Sequence, residues 1–107
     1  MKTSNYTDTQ KEIVNIVQEI NSSIIRAQEL VIGNGCRITQ NIKNQLSQIS
    51  ITNTGKLCKV RGLYEKLPNC ERENLLVPNL REGYLEYYTW YLNAYQTNQA
   101  IYADAHS

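Results

Sequence analysis

The one side chain that titrates near neutrality without help from its surroundings occurs once, as His106, one position before Ser107. Chain ends are mobile unless tied down, so an imidazole there lacks the fixed geometry a general base needs beside a nucleophile. Cys36, Cys58, Cys70 and His106 are the right ligand types for zinc. Zinc motifs bring ligands in close pairs, however, and no two of these residues stand within a few positions of each other. Glu71, Glu73, Glu82 and Glu86 are numerous enough to pair as acid and base, but nothing in the sequence indicates their burial or a shared cleft, and a solvated face is the expected role. Gly33-Asn34-Gly35 lacks the preceding strand, the further glycine and the lysine of a phosphate loop. No catalytic residues, no metal site and no cofactor are therefore expected, and the chain is read as a non-enzyme.

Two concentrations of residues remain. The first is basic. Residues 33–67 hold six Lys or Arg against one Glu, whereas residues 1–32 hold three against four acids and residues 68–107 two against five. A basic middle between acidic flanks reads first as internal charge pairing. Its rival is a nucleic-acid surface built from Arg37, Lys43, Lys56, Lys59, Arg61 and Lys66, with two helices joined by a short turn as in a helix-turn-helix. Few of these side chains suit base edges, and the acidic flanks oppose phosphate, so nucleic acid stays the alternative.

The second concentration is aromatic. YLEYYTWYLNAY, residues 84–95, holds five of the eight tyrosines and the single tryptophan of a chain without phenylalanine. On a helix of 3.6 residues per turn, Tyr84, Tyr88, Tyr91, Tyr95 and Tyr102 share one stripe. Such a stripe is expected to face the core, with the phenol hydroxyls turned to a wet rim or to a partner covering it, because a buried hydroxyl needs a hydrogen-bond partner. Trp90 sits on the shoulder of that stripe. It is either covered by Leu75, Leu76 and Val77, or exposed with Tyr87, Tyr91 and Ile101 as the anchor of an interface.

The elements that must position these residues follow from periodicity. Ile13, Val17, Ile20, Ile24, Ala27 and Val31 recur at helical spacing, with a capping box at Thr9 and Glu12 or, in another register, at Thr7 and Gln10. Gly33-Asn34-Gly35 ends this helix. Ile38, Ile42, Leu46 and Ile49 predict a second helix stopped by Thr52-Asn53-Thr54-Gly55, and Leu57, Val60, Tyr64 and Leu67 a short third one ending at Pro68. Residues 69–79 read as a turn or single helical turn, with the last helix capped by Asn79 and favoured by Glu82.

The expected fold is all-α: a single domain over residues 1–107, built as a small helical bundle of three longer helices plus one short helix. An odd number of cysteines fits free thiols better than a disulfide framework, with at least one expected to be buried or, between Cys58 and Cys70, bridged. The start Met1-Lys2-Thr3-Ser4 leads into no apolar core, so a cytoplasmic setting is expected, or export if a leader has been removed. No apolar run is long enough to span a bilayer. By exclusion, the expected function is a protein-binding module, an adaptor, inhibitor or assembly subunit, whose partner is another protein or a second copy of itself. Ile20→Asp should prevent folding, because it places an unpaired carboxylate in the seam of the first helix; an unchanged thermal unfolding curve for the soluble variant would overturn that assignment.

Overall fold

In the computed structural model, residues 6–81 and 83–107 are described, and the Met1-Lys2-Thr3-Ser4 start and Glu82 lie outside them. The order of elements is α1 (Asp8–Gly33), α2 (Gln40–Glu65), α3 (Asn69–Glu73), β1 (Leu76–Pro78), β2 (Tyr84–Glu86) and α4 (Tyr87–Ala105). Three long helices and one short helix make the helical bundle expected from the sequence, with a two-stranded hairpin added.

α1 buries Ile13, Ile16, Val17, Ile20, Ile24 and Ala27. Its capping box uses the Thr7 register: the Gln10 amide donates to Thr7 Oγ1 at 3.3 Å, and the Thr7 amide donates to Gln10 Oε1 at 2.8 Å. Gln10 then reaches onward, its Nε2 donating to the Glu71 carbonyl at 3.1 Å, a contact that Thr9 and Glu12 do not make. The helix stops where Gly33-Asn34-Gly35 predicts, with Gly35 at φ 62° in the left-handed region.

α2 corrects the expected stop at residues 52–55. The chain stays helical through Gly55 and Gly62, so the segment read as a short third helix is the second half of α2. The inward seam Ile42, Leu46, Ser50, Asn53, Leu57 and Val60 is unbroken in spacing, but two of its positions are polar. An apolar pattern therefore lapses where the helix does not. The short helix is instead α3, within the stretch read as a single helical turn.

The last helix also starts later than expected. β1 and β2 pair antiparallel, with Leu76 opposite Glu86, Val77 opposite Leu85 and Pro78 opposite Tyr84. Gly83 takes φ 78°, which only glycine adopts freely, and its carbonyl accepts from the Asn79 amide at 3.0 Å. That glycine closes a turn, so Asn79 does not cap α4, and α4 begins after Glu86. The triplet 75–77 is packed down as expected, with Leu75 and Val77 buried. Tyr6 fastens this region, its hydroxyl accepting from the Leu76 amide at 2.8 Å and lying 3.1 Å from the Asn74 carbonyl.

α2 is the central helix, packing on α1 along one side and on α4 along another. Lys56 and Lys59 reach Glu19 and Glu12 of α1 at 3.2 and 3.6 Å, so part of the basic middle does lie against the acidic first segment. Both pairs are at the surface, where each contributes at most about 1 kcal/mol. The thiols depart from expectation: Cys36, Cys58 and Cys70 are all free and exposed. Cys58 falls outside the α2 seam, between Leu57 and Val60, and Cys70 lies in the exposed first half of α3, so neither burial nor a bridge occurs. Among the described residues no helix is long and apolar enough to cross a membrane.

Gly55 is the sharpest consequence of a continuous α2, because a Cβ added there would meet nothing within 4 Å. Gly55→Ala should raise stability by about 0.5–1 kcal/mol in thermal or urea unfolding, since it reduces the freedom of the unfolded chain. A loss of stability would mean that the helix is interrupted there.

Candidate functional site

α4 has two distinct faces. Tyr87, Trp90, Ala94, Asn98, Ile101 and Ala105 recur every three or four residues and are buried. Trp90 is 2% exposed, and its Nε1 donates to Asn21 Oδ1 of α1 at 2.9 Å. The same Asn21 side chain donates through Nδ2 to the Pro78 carbonyl at 3.0 Å. Of the two placements open for Trp90 the buried one holds: Trp90, Tyr87 and Ile101 are core residues, and the rival placement as an exposed anchor is corrected. The indole is the only large apolar ring on α4 without a hydroxyl, and α1 offers it a buried acceptor. Tyr91, the fourth residue assigned to that interface, is half-buried and packed against the core.

The other face carries Tyr88, Leu92, Tyr95 and Tyr102, with Tyr84 of β2 also exposed. These five side chains are between 44% and 64% exposed, which reverses the expected inward orientation of the tyrosine stripe. Small Ala94 and Ala105 belong to the buried seam, while the exposed phenols keep their hydroxyls in water. His106 caps α4, is exposed, and lies with its ring centre 4.3 Å from that of Tyr102.

Between the two faces an aromatic cleft of about 290 Å³ opens where the end of α2 meets the start of α4. Tyr64 and Tyr87 stack at 4.1 Å with ring planes 22° apart, and Tyr91 follows at 5.9 Å from Tyr87. Arg72 of α3 places its guanidinium 5.8 Å from the centre of the Tyr64 ring. It also donates through Nε to the Tyr64 carbonyl at 3.2 Å and through Nη2 to the Glu65 carbonyl, which satisfies the open end of α2. Arg61 and Glu65 form an exposed pair at 3.3 Å on the rim. The Tyr87 hydroxyl is buried with no hydrogen-bond partner among the described residues. Burial pushes its pKa well above the ordinary phenol value, with Tyr91 and Tyr64 adding to the effect.

Sequence reasoning placed Tyr87 and Tyr91 on α4 but missed Tyr64 and Arg72 as their neighbours. Tyr64 was legible as a seam residue near Pro68. What was missing was the return of α4 onto the same end of α2, which periodicity cannot convey.

The six basic residues are not gathered into one patch. Lys43 and Lys66 stand about 35 Å apart along α2 at 1.5 Å per residue. Helical spacing puts Lys56, Lys59 and Lys66 on one side of the helix, and Lys43 and Arg61 near the opposite side. Lys43 Nζ reaches the Ser107 carbonyl at the end of α4, and Arg37 lies exposed before α2. Since α2 is continuous, the turn of a helix-turn-helix is absent at residues 52–55. Among the described residues no three His, Cys, Asp or Glu side chains come together in a metal-binding arrangement.

Two effects should follow Tyr87→Phe. At neutral pH the variant should be about 1 kcal/mol more stable, because an unpartnered hydroxyl leaves the interior. The folded phenol holds its proton more tightly than the unfolded one, so its contribution is complete below the ordinary value of about 10 and is lost as pH rises above it. Wild type should therefore lose stability faster than Tyr87→Phe above pH 10, by at most about 1.4 kcal/mol per pH unit. Parallel stability curves for the two proteins would show the hydroxyl to be solvated.

Comparison of the chain with protein-family models, with curated proteins and with solved structures finds no match, so the outer tyrosine face and the aromatic cleft are interpreted on their own geometry.

Proposed function

We propose that the chain is a small non-enzymatic protein-binding module that uses the outer face of α4 as its contact surface. The observation that carries this reading is the exposed line of Tyr88, Leu92, Tyr95 and Tyr102 along one helix face. Tyrosine is enriched where proteins meet, because its ring buries a large area at low entropic cost while its hydroxyl stays hydrogen-bonded. The face requires no rearrangement of the core to be used, since the buried seam of α4 lies on its other side. The partner is another protein or a second copy of the chain, and the role is that of an adaptor, inhibitor or assembly subunit.

Tyr95→Ala combined with Tyr102→Ala tests the surface, since both side chains are about half exposed and alanine favours a helix. Sedimentation over a dilution series reports self-association, and quantitative capture on the immobilised protein reports a foreign partner. Wild type should associate, with little dependence on salt, and the double variant should bind at least tenfold more weakly, equivalent to about 1.4 kcal/mol, with its thermal unfolding nearly unchanged. The reading fails if the variant associates as wild type does. It fails equally if wild type is monomeric with no saturable partner, or if its only ligand is DNA retained with a steep salt dependence.

A further inference from the structure

The exposed tyrosine face does not end at α4. α2 and α4 run antiparallel: Tyr64 stacks on Tyr87, Asn98 donates to Thr54 Oγ1, and Lys43 reaches Ser107. Ile51, Thr54, Cys58 and Arg61 share one line along α2 at spacings of three, four and three. Thr54 accepts from α4, and Arg61 borders the cleft that Tyr88 and Leu92 also line, so the whole line runs beside α4. The antiparallel run sets Ile51 level with Tyr102 and Cys58 level with Tyr95. Ile51 is 62% exposed, and Cys58 is exposed as well. One surface therefore spans both helices.

That surface is neutral. Residues 44–55 of α2 and 87–103 of α4 contain no Asp, Glu, Lys or Arg, in a chain where 20% of residues are charged. Lys56 and Lys59 turn to the other flank of α2 and pair with Glu19 and Glu12 of α1. Depletion of charge marks the centre of an interface, and it also bears on the occupant. In a twofold pairing each surface meets itself, so a charge near the axis would face its own like. Hydroxyls and amides both donate and accept, and they can be satisfied by their own copies. A partner recognised through charge finds none here to pair with.

The area is sufficient. Tyr88, Tyr95 and Tyr102 are each about half exposed or more, and with Leu92 and Ile51 they offer on the order of 500 Å² per copy. Two such surfaces pressed together remove roughly 1,000 Å² from water, the lower bound for a specific interface.

Resting on the reading of α4 as a protein-binding surface, we propose that its occupant is a second copy of the chain, seated on α2 and α4 together about a twofold axis. Ile51 belongs to the contact, and Cys58 is covered by it. Because the same patch serves both copies, assembly closes at two.

Sedimentation of the whole chain over a dilution series should show a monomer–dimer equilibrium with no larger species, little changed between low and high salt. Ile51→Lys introduces a cation on both sides of the contact and should weaken the dimer at least tenfold. Ile32→Lys alters an isoleucine of α1 that is 69% exposed and outside this surface, and should leave the dimer intact. A thiol reagent supplies an independent reading, since Cys36, Cys58 and Cys70 are all exposed. Raising the protein concentration should slow the labelling of Cys58 severalfold while Cys36 and Cys70 react as before. A monomer at every concentration, an open-ended series of larger species, an undiminished dimer in Ile51→Lys, or unslowed labelling of Cys58 would overturn the proposal. A monomer that still captures a foreign protein through Tyr95 and Tyr102 would overturn the second copy alone and leave the protein-binding reading standing.

Discussion

One buried amide fixes the arrangement on which the surface of this protein depends. Asn21 accepts from the Trp90 indole at 2.9 Å and donates to the Pro78 carbonyl at 3.0 Å, so a single side chain of α1 joins α4 to the hairpin. Neither bond has water as an easy substitute, because Asn21 is only 7% exposed and Trp90 is 2% exposed. Pinning the indole inward sets the rotation of α4 about its axis. Tyr88, Leu92, Tyr95 and Tyr102 lie roughly 120° to 200° around the helix from Trp90, and they must then face outward. The tyrosine face is outward because the tryptophan is inward.

The interior that α2 presents to α4 is correspondingly mixed. Asn98 donates to Thr54 Oγ1 at 3.1 Å and to the Ser50 carbonyl at 3.4 Å. Asn53 is fully buried, with both amide atoms unpartnered among the described residues, as is Asn98 Oδ1. Unpartnered buried amides reduce stability, and polar groups inside helical bundles are best known for restricting register. Two apolar helices can slide one turn with modest loss. A seam that interrupts Leu46 and Leu57 with Ser50 and Asn53 has fewer acceptable settings.

How far the sequence could be read depended on whether apolar character and geometry coincided. They coincide in α1, whose seam, stop glycines and bundle membership were all legible. They part company in α2, where Ser50 and Asn53 occupy seam positions and Gly55 imitates a helix end while lying inside a helix. Gly83 acts in the opposite sense: a helix capped at Asn79 would run through it, whereas it turns a hairpin through its positive φ. The aromatic concentration on α4 was plain, but its orientation was not, because choosing between the tyrosine stripe and the Tyr87–Trp90–Ala94 seam requires knowing that Asn21 waits across the interface. The cleft was beyond reach for a similar reason. Tyr64, Arg72 and Tyr87 become neighbours only through the packing of three separate elements.

The Tyr6 hydroxyl, bonded to the Leu76 amide 70 positions away, and the short connection between α1 and α2 take unequal parts in assembly. α1 and α2 meet across the six residues between Gly33 and Gln40, whereas the Tyr6 contact closes a loop of 70. That difference adds about 2 kcal/mol of loop entropy. The α1–α2 hairpin can therefore gather before the clasp is made, and the clasp takes hold at the amide between the buried Leu75 and Val77. The clasp at the hairpin and the contact between Lys43 and Ser107 at the far end of α4 both close loops of more than 60 residues, so both follow the gathering of α1 on α2.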